Sequence, residues 1–188
     1  VAYYPGAKPI HLKLVFRRSD GLVLGAQAVG EEGVERRIDV ISTAIQMGAT
    51  VFDLEEAELC YAPQYGAAKD PVNVAGMIAA NVVRGDVHLA PWRELHATDA
   101  VLLDVRDPAE FHAGCLDGAV NIPLGQLRDK MDELPRDREI WVSCGVGQRA
   151  YYACRLLSQH GFRVSNLSGG YHTYRAWYPE DLVQHGTT

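Results

Sequence analysis

Cys144-Gly145-Val146-Gly147-Gln148-Arg149 is the stretch that decides the fold of the second half of this chain. It follows an apolar run typical of a buried strand, residues 139–143, and precedes a helical pattern that begins at Ala150. A strand, a glycine-rich loop and a helix in this order are typical of a parallel sheet, with the loop at the end of the strand. The backbone N–H groups of such a loop, together with the positive end of the helix, stabilise negative charge on sulfur. The sequence therefore predicts an anion site at Cys144.

Alternating strand and helix signals surround this loop. Residues 101–106 and 163–167 are further runs of the buried-strand type. Residues 107–110 carry a helix cap with a glutamate three positions on, the stripe 124–134 has apolar residues at helical spacing, and Gly161 ends the helix after the loop. This alternation predicts an α/β unit with a mostly parallel central sheet that is covered on both faces.

The first half has a different pattern. Two strand signals, residues 11–16 and 22–29, are joined by a turn and predict a hairpin. Apolar residues then recur at helical spacing over 34–45, and Asp70-Pro71 begins a second helix that Gly85 closes. The first half is therefore predicted to be an α+β unit.

Size and composition bound the possible functions. The 188 residues carry a net charge of −6 and are 47% hydrophobic, which suffices for two packed domains, 1–85 and 86–188. No basic cluster exceeds Arg36-Arg37, so nucleic-acid binding is not expected as a main role. No apolar stretch approaches the roughly 20 residues that span a bilayer, and no signal-peptide pattern begins the chain, so the expected location is the cytoplasm, with no membrane partner. The four cysteines lack metal-type spacing, so no metal site is predicted.

Three other interpretations of the cysteine loop can be weighed from its residues. Residues 145–150 fit a dinucleotide-binding fingerprint, but the acid that should follow about 20 residues later is missing between Ala150 and Pro179. Cysteine phosphatases generally have one more residue between cysteine and arginine, and the shorter loop suits a terminal sulfur better than a phosphate. A buried structural cysteine is the third alternative, which the glycines and Arg149 disfavour.

Motifs around the loop extend this interpretation. Residues 102–106, 114–123 and 167–170, taken with the loop 144–149, resemble the rhodanese family of sulfurtransferase domains across nearly all of the second half. The resemblance implies an α/β rhodanese domain over residues 86–188. Cys115 stands where this family usually has histidine, and we interpret it as a small packed side chain.

The resemblance implies a covalent sulfur transfer. The Cys144 thiolate would attack a sulfane sulfur, carry it as a persulfide and pass it to a thiol acceptor. Arg149 would either hold the loop by pairing with Asp104 or Glu110, or attract an anionic substrate. The loop residues expected to hold the persulfide are Gly145, Val146, Gly147, Gln148 and Arg149.

Two alternatives remain beside this activity. One is a catalytically idle rhodanese-fold module that senses sulfide or docks a partner, and the other is a cysteine phosphatase. A small sulfane-sulfur donor and a thiol acceptor are the partners that the sulfurtransferase interpretation implies.

Motifs in the first half resemble a second family. Tyr61-Ala-Pro-Gln-Tyr65, residues 69–76 and Tyr3-Tyr4-Pro5-Gly6 resemble the dimerisation domain of the pyridine nucleotide-disulfide reductases, especially the coenzyme A disulfide reductase branch. The resemblance implies a homodimer formed through residues 1–85. It also implies that Tyr4, Tyr61 and Tyr65 reach the active site of the partner subunit, with core or interface aromatics as the alternative.

The order of the two domains resembles fused enzymes in which a coenzyme A disulfide reductase carries a rhodanese domain and reduces persulfides or polysulfides. This resemblance implies that the chain begins inside the dimerisation domain and lacks the flavin and nicotinamide domains. No cofactor is therefore expected in this chain alone. FAD, NAD(P)H and coenzyme A are implied for the complete enzyme.

Overall fold

A computed structural model of the chain describes residues 5–178 and the backbone of residues 182–183. The chain divides into two compact units, Val1–Asp86 and Val87–Thr188, each with its own hydrophobic core. Within the described residues, no helix is both long and apolar enough to pass through a bilayer.

The first unit is a hairpin packed with three helices. Its strands are antiparallel, and their register runs from Ile10 opposite Gly30 to Phe16 opposite Val23. The elements are β1 (Ile10–Phe16), β2 (Val23–Gly30), α1 (Val34–Gln46), α2 (Val51–Glu56) and α3 (Pro71–Arg84).

Local signals explain where the helices of the first unit begin. Asp70 caps α3 through a capping box with Asn73, and Gly85 ends the helix in the left-handed conformation. Helix α2, which was not predicted, begins with a second capping box between Thr50 and Asp53. Gly76 lets α3 approach α2 closely, because a Cβ there would lie 2.7 Å from the Leu54 carbonyl carbon.

The second unit is built on a parallel sheet. Its strands are β3 (Leu89–Ala90), β4 (Val101–Asp104), β5 (Cys115–Leu116), β6 (Val120–Asn121), β7 (Ile140–Ser143), β8 (Val164–Leu167) and β9 (Leu182–Val183). Five of them form a sheet in which every strand pair is parallel, in the order β3-β8-β7-β4-β6. A short antiparallel pair, β5 with β9, lies outside this sheet. The helices are α4 (Pro108–His112), α5 (Leu127–Lys130), α6 (Gln148–Gln159) and α7 (Gly170–Trp177).

The predicted α+β and α/β classes are confirmed. All four residues of β7 and all four of β8 are buried, so both faces of the sheet are covered there. The apolar stripe predicted as one helix over 124–134 is instead α5 flanked by single turns of 3₁₀-helix at 124–126 and 131–133. Leu134 is extended because it precedes Pro135, which disfavours the helical conformation.

Candidate active site

Cys144 lies at the carboxyl end of β7, immediately before the loop that leads into α6. The residue is only 1% exposed, and its Sγ accepts a hydrogen bond from the Gly147 backbone N–H at 3.1 Å. Gly147 is the N-cap of α6 and has φ +96°, a conformation that glycine adopts without strain. The sulfur therefore receives an N–H donor at the positive end of a twelve-residue helix, an arrangement that stabilises a thiolate.

The first turn of α7 holds the carbonyl groups of the loop. The Tyr171 N–H donates to the Cys144 carbonyl at 2.7 Å, and the His172 N–H donates to the Gly145 carbonyl at 3.0 Å. Because a trans peptide points its C=O and N–H in opposite directions, these bonds turn the next two N–H groups of the loop away from α7. Helix α7 therefore fixes the orientation of the first two peptide groups of the loop.

Gly170 makes this close approach possible. A Cβ on Gly170 would overlap the Cys144 carbonyl oxygen and lie 2.7 Å from the Gly145 carbonyl. A Cβ on Gly145 would meet the His172 ring at 3.4 Å and the Arg149 guanidinium at 3.5 Å. These side chains therefore cover the loop at Gly145.

Arg149 closes the loop through a carboxylate on α4. Its two terminal nitrogens donate to the two Glu110 oxygens at 2.6 and 2.8 Å, while the nearest Asp107 oxygen lies 3.9 Å away. The hydrogen bonds from Arg149 lower the pKa of Glu110 to about 2, and the same pairing raises the pKa of Arg149. Of the two carboxylates suggested for Arg149, the structure therefore brings Glu110 to it.

Asp104 has a different partner. It forms a buried bidentate ion pair with Arg106, with the shortest N···O distance at 2.7 Å. The alternative in which Asp104 pairs with Arg149 is not found, because Arg106, two residues later in the chain, binds both Asp104 oxygens. The Arg106 guanidinium lies 4.2 Å from the centroid of the Tyr171 ring, so Asp104 reaches the loop only indirectly, through the residue that binds the Cys144 carbonyl.

The other thiols differ from Cys144 in their surroundings. Burial raises the pKa of Cys154 to about 12, and burial together with the nearby Asp104 carboxylate raises the pKa of Cys115. Both thiols therefore stay protonated, and they behave as small apolar side chains of the packed interior. Cys60 is exposed in the first unit, and none of the four cysteines is in a disulfide.

The loop does not fit a dinucleotide. In a nucleotide site the N–H groups at the start of the helix face phosphate oxygens, whereas the Gly147 N–H is bonded to the Cys144 sulfur. Among the residues that the structure describes, no group of three or more His, Cys, Asp or Glu side chains could hold a metal ion.

Two of the tyrosines proposed from the first half, Tyr61 and Tyr65, lie on the segment between α2 and α3. Tyr61 and Tyr65 are 53% and 69% exposed, and Arg36 donates to the Tyr65 carbonyl at 2.8 Å. Tyr4 lies outside the described residues. A role for these side chains stays a prediction.

Sequence reasoning missed the contribution of α7 to the site. Gly170 ends the motif 167–170 and begins α7, and Tyr171 and His172 follow it. The signal in the sequence is the pair of glycines at the start of this helix, since a backbone without side chains permits the approach of another loop.

Comparisons with known proteins agree with the two units. Residues 92–176 match the family model of the rhodanese-like domain, and residues 1–70 match that of the pyridine nucleotide-disulphide oxidoreductase dimerisation domain. Coenzyme A disulfide reductase of Staphylococcus epidermidis is 46% identical over 74 residues, which cover 39% of this chain and 17% of that protein.

Two solved structures resemble the chain over nearly its whole length. Reduced Bacillus anthracis CoADR-RHD superposes with a TM-score of 0.94 at 44% identity, covering 97% of this chain and 33% of that one. The NAD-dependent persulfide reductase from A. fulgidus superposes with a TM-score of 0.82 at 41% identity, covering 92% of this chain and 31% of that one. The chain thus spans about a third of the length of these relatives. The chain thus carries a pyridine nucleotide-disulphide oxidoreductase dimerisation domain followed by a rhodanese-like domain, and it resembles part of a coenzyme A disulfide reductase–rhodanese fusion.

Proposed function

We propose that the second unit is a sulfurtransferase module that carries sulfane sulfur as a persulfide on Cys144. The observation that carries this proposal is the 3.1 Å hydrogen bond from the Gly147 N–H to the Cys144 sulfur, at the positive end of α6. This donor favours the ionised sulfur, which is the nucleophilic form.

The reaction consists of two displacements at sulfur. The Cys144 thiolate attacks the sulfane sulfur of a donor, a new S–S bond forms, and the donor's own sulfur–sulfur bond breaks as its leaving group departs with the electron pair. A thiolate acceptor then attacks the outer sulfur of the persulfide, and the Cys144 thiolate is released. The enzyme ends as it began, so this module needs no cofactor for the transfer.

Arg149 acts in this proposal as a support of the loop. Both of its terminal nitrogens bind Glu110, so its charge is balanced and its strongest donors are used within the protein. The same pairing disfavours the phosphatase alternative, since a phosphate-binding loop directs its arginine to the phosphate oxygens. The burial of Cys144 also favours a small terminal sulfur over a bulky phosphoryl group.

For the first unit we propose a homodimerisation role over residues 1–85, joined to the rhodanese domain over 86–188. Tyr4, Tyr61 and Tyr65 would reach the partner subunit's active site. In the complete protein, sulfur carried by Cys144 would be delivered to a disulfide or persulfide reductase centre that uses FAD and NAD(P)H, with coenzyme A as a carrier. The proposal rests on the coenzyme A disulfide reductase and the persulfide reductase that this chain resembles. We further propose a cytoplasmic location.

Mass spectrometry of the chain after incubation with thiosulfate tests the sulfurtransferase proposal. We expect one sulfur atom to be added at Cys144 and removed by cyanide with formation of thiocyanate. Cys144→Ser should abolish both events, and the control Cys60→Ser, which removes an exposed thiol, should leave them unchanged.

Repeated turnover separates this activity from an idle module. A sensing or docking module would give no sustained thiocyanate formation with thiosulfate and cyanide. Full turnover by Cys144→Ser would contradict the assignment of Cys144.

A further inference from the structure

A buried asparagine contacts the active-site loop from the neighbouring strand. Asn166 lies on β8, which pairs with β7, and is only 7% exposed. Its Nδ2 donates to the Gly147 carbonyl at 3.1 Å. Its Oδ1 is buried without a hydrogen-bond partner among the described residues.

The contact bears on the residue that binds the sulfur. The Gly147 carbonyl also accepts the Tyr151 N–H at 2.9 Å at the start of α6, while the Gly147 N–H donates to the Cys144 sulfur. Glycine rotates more freely than any other residue, so at φ +96° its orientation depends on what holds it. Asn166 and the first turn of α6 therefore bind the Gly147 carbonyl, while the Cys144 sulfur accepts a hydrogen bond from the Gly147 N–H.

The unpaired Asn166 Oδ1 makes this contact partly unfavourable for the stability of the fold. The Gly147 carbonyl can only accept, so the amide must turn its NH₂ group toward it and leave Oδ1 without a donor. An unsatisfied buried polar atom is unfavourable, and a native protein that tolerates one at a functional site calls for an explanation. The Oδ1 lies 4.0 Å from where a Cβ on Gly147 would be, so the whole amide group lies against the loop.

We propose that Asn166 is a positioning residue for the sulfur carried by Cys144. By holding the Gly147 carbonyl, Asn166 fixes the peptide group that follows Gly147 and restricts rotation about the bonds of this glycine. Such a rotation would turn the Gly147 N–H away from the sulfur, so the restriction stabilises the thiolate from which transfer starts. This inference rests on the proposed function and adds a residue to it that contacts neither the sulfur nor the substrate.

The test compares Asn166→Leu with the matched control Ser165→Ala in the full chain. Leucine removes the amide donor while filling a similar volume. Ser165 is the preceding residue of β8, is similarly buried and donates to Glu139 at 2.6 Å, so its alanine variant also loses a side-chain hydrogen bond of this strand. The charged and titratable groups around the loop are unchanged in both variants: Asp104, Arg106, Asp107, Glu110, Arg149, Cys154 and His172.

The first measurement is the ultraviolet absorbance of the thiolate over a pH series, taken as the difference between each protein and its matching Cys144→Ser form. We expect the titration of Asn166→Leu to shift to higher pH by about one unit, and that of Ser165→Ala to coincide with the parent chain. The second measurement is sulfur uptake from thiosulfate, which should be about tenfold slower at neutral pH in Asn166→Leu alone.

The outcomes distinguish the two proposals. An unshifted titration in Asn166→Leu, or an equal shift in Ser165→Ala, overturns the role of Asn166. Failure of the parent chain to take up sulfur overturns the proposed function instead, while the absorbance titration still decides the effect of Asn166 on the thiolate. Thermal unfolding shows whether both variants remain folded.

Discussion

At the scale of single residues, the charges around the cysteine loop are paired within the protein. Arg149 is neutralised by Glu110, and Asp104 by Arg106. The stabilisation of negative sulfur therefore falls mainly to the Gly147 N–H and the end of α6. Glu110 acts on the sulfur indirectly, because it fixes Arg149 at the far end of the loop.

The Glu110–Arg149 pair predicts a pH dependence of stability. The pKa of Glu110 falls from 4.5 to about 2 in the folded protein, so the pair stabilises the fold above the unfolded pKa, and this contribution is lost as the pH drops through the folded one. At neutral pH we expect Glu110→Gln to be less stable by about 1 kcal/mol or less, because both side chains of the pair are more than a third exposed and water screens their attraction. Below about pH 4.5 the difference should shrink.

Urea denaturation at neutral and acidic pH measures this effect. The control is Asp132→Asn, which removes an exposed carboxylate 3.5 Å from Arg136 and should change stability little at either pH. A Glu110→Gln variant whose stability difference from the parent chain is the same at both pH values would argue against a stabilising ion pair.

At the scale of elements, hydrophobic patterning predicts the strands and the longer helices. The run 139–143 forms β7 at 140–143, and the pattern 34–45 forms α1. Both are predictable because the apolar residues that a strand or one face of a helix buries recur at a fixed spacing within a short segment. The sequence does not predict which carboxylate Arg149 meets or which carbonyls α7 binds. Those contacts join residues distant in the chain, and side-chain types alone do not choose between Asp104 and Glu110.

Helix α7 gives a prediction at this scale through Gly170. This residue has φ +62°, and a Cβ on it would overlap the Cys144 carbonyl, so Gly170→Ala must displace either α7 or the loop. We expect a loss of stability of about 2 kcal/mol or more, together with loss of sulfur uptake. Gly118→Ala is the matched control, because Gly118 has φ +70° and open space around its Cβ position. It should cost only about 1 kcal/mol from backbone strain.

Urea denaturation and the thiosulfate assay, applied to both glycine variants, measure these effects. Equal destabilisation of the two variants would show that the contact between α7 and the loop is not tight, and that the backbone conformation alone accounts for the loss of stability. Normal sulfur uptake by Gly170→Ala would show that α7 does not orient the loop for transfer.

At the scale of the whole molecule, the two units have separate hydrophobic cores. The first unit exposes several large apolar side chains on its hairpin and on α3: Val15, Leu24, Val29, Val74 and Ile78. Val74 and Ile78 are four residues apart on α3 and therefore lie on one face of that helix. Exposed apolar surface of this kind is typical of protein–protein contacts, and the family model that matches this unit describes a dimerisation domain.

The proposed homodimer predicts a specific response to charge on that helix. Ile78 is 52% exposed, so a glutamate there can remain in water in the monomer, but would be desolvated in an interface. We expect sedimentation velocity to give a dimer for the parent chain and mainly monomer for Ile78→Glu, with unchanged circular dichroism.

The control is Trp177→Glu, at an apolar position of the second unit that is 75% exposed, and this variant should remain dimeric. A parent chain that stays monomeric at every concentration would contradict dimerisation through residues 1–85. A dimer unaffected by Ile78→Glu would move the interface away from this face of α3.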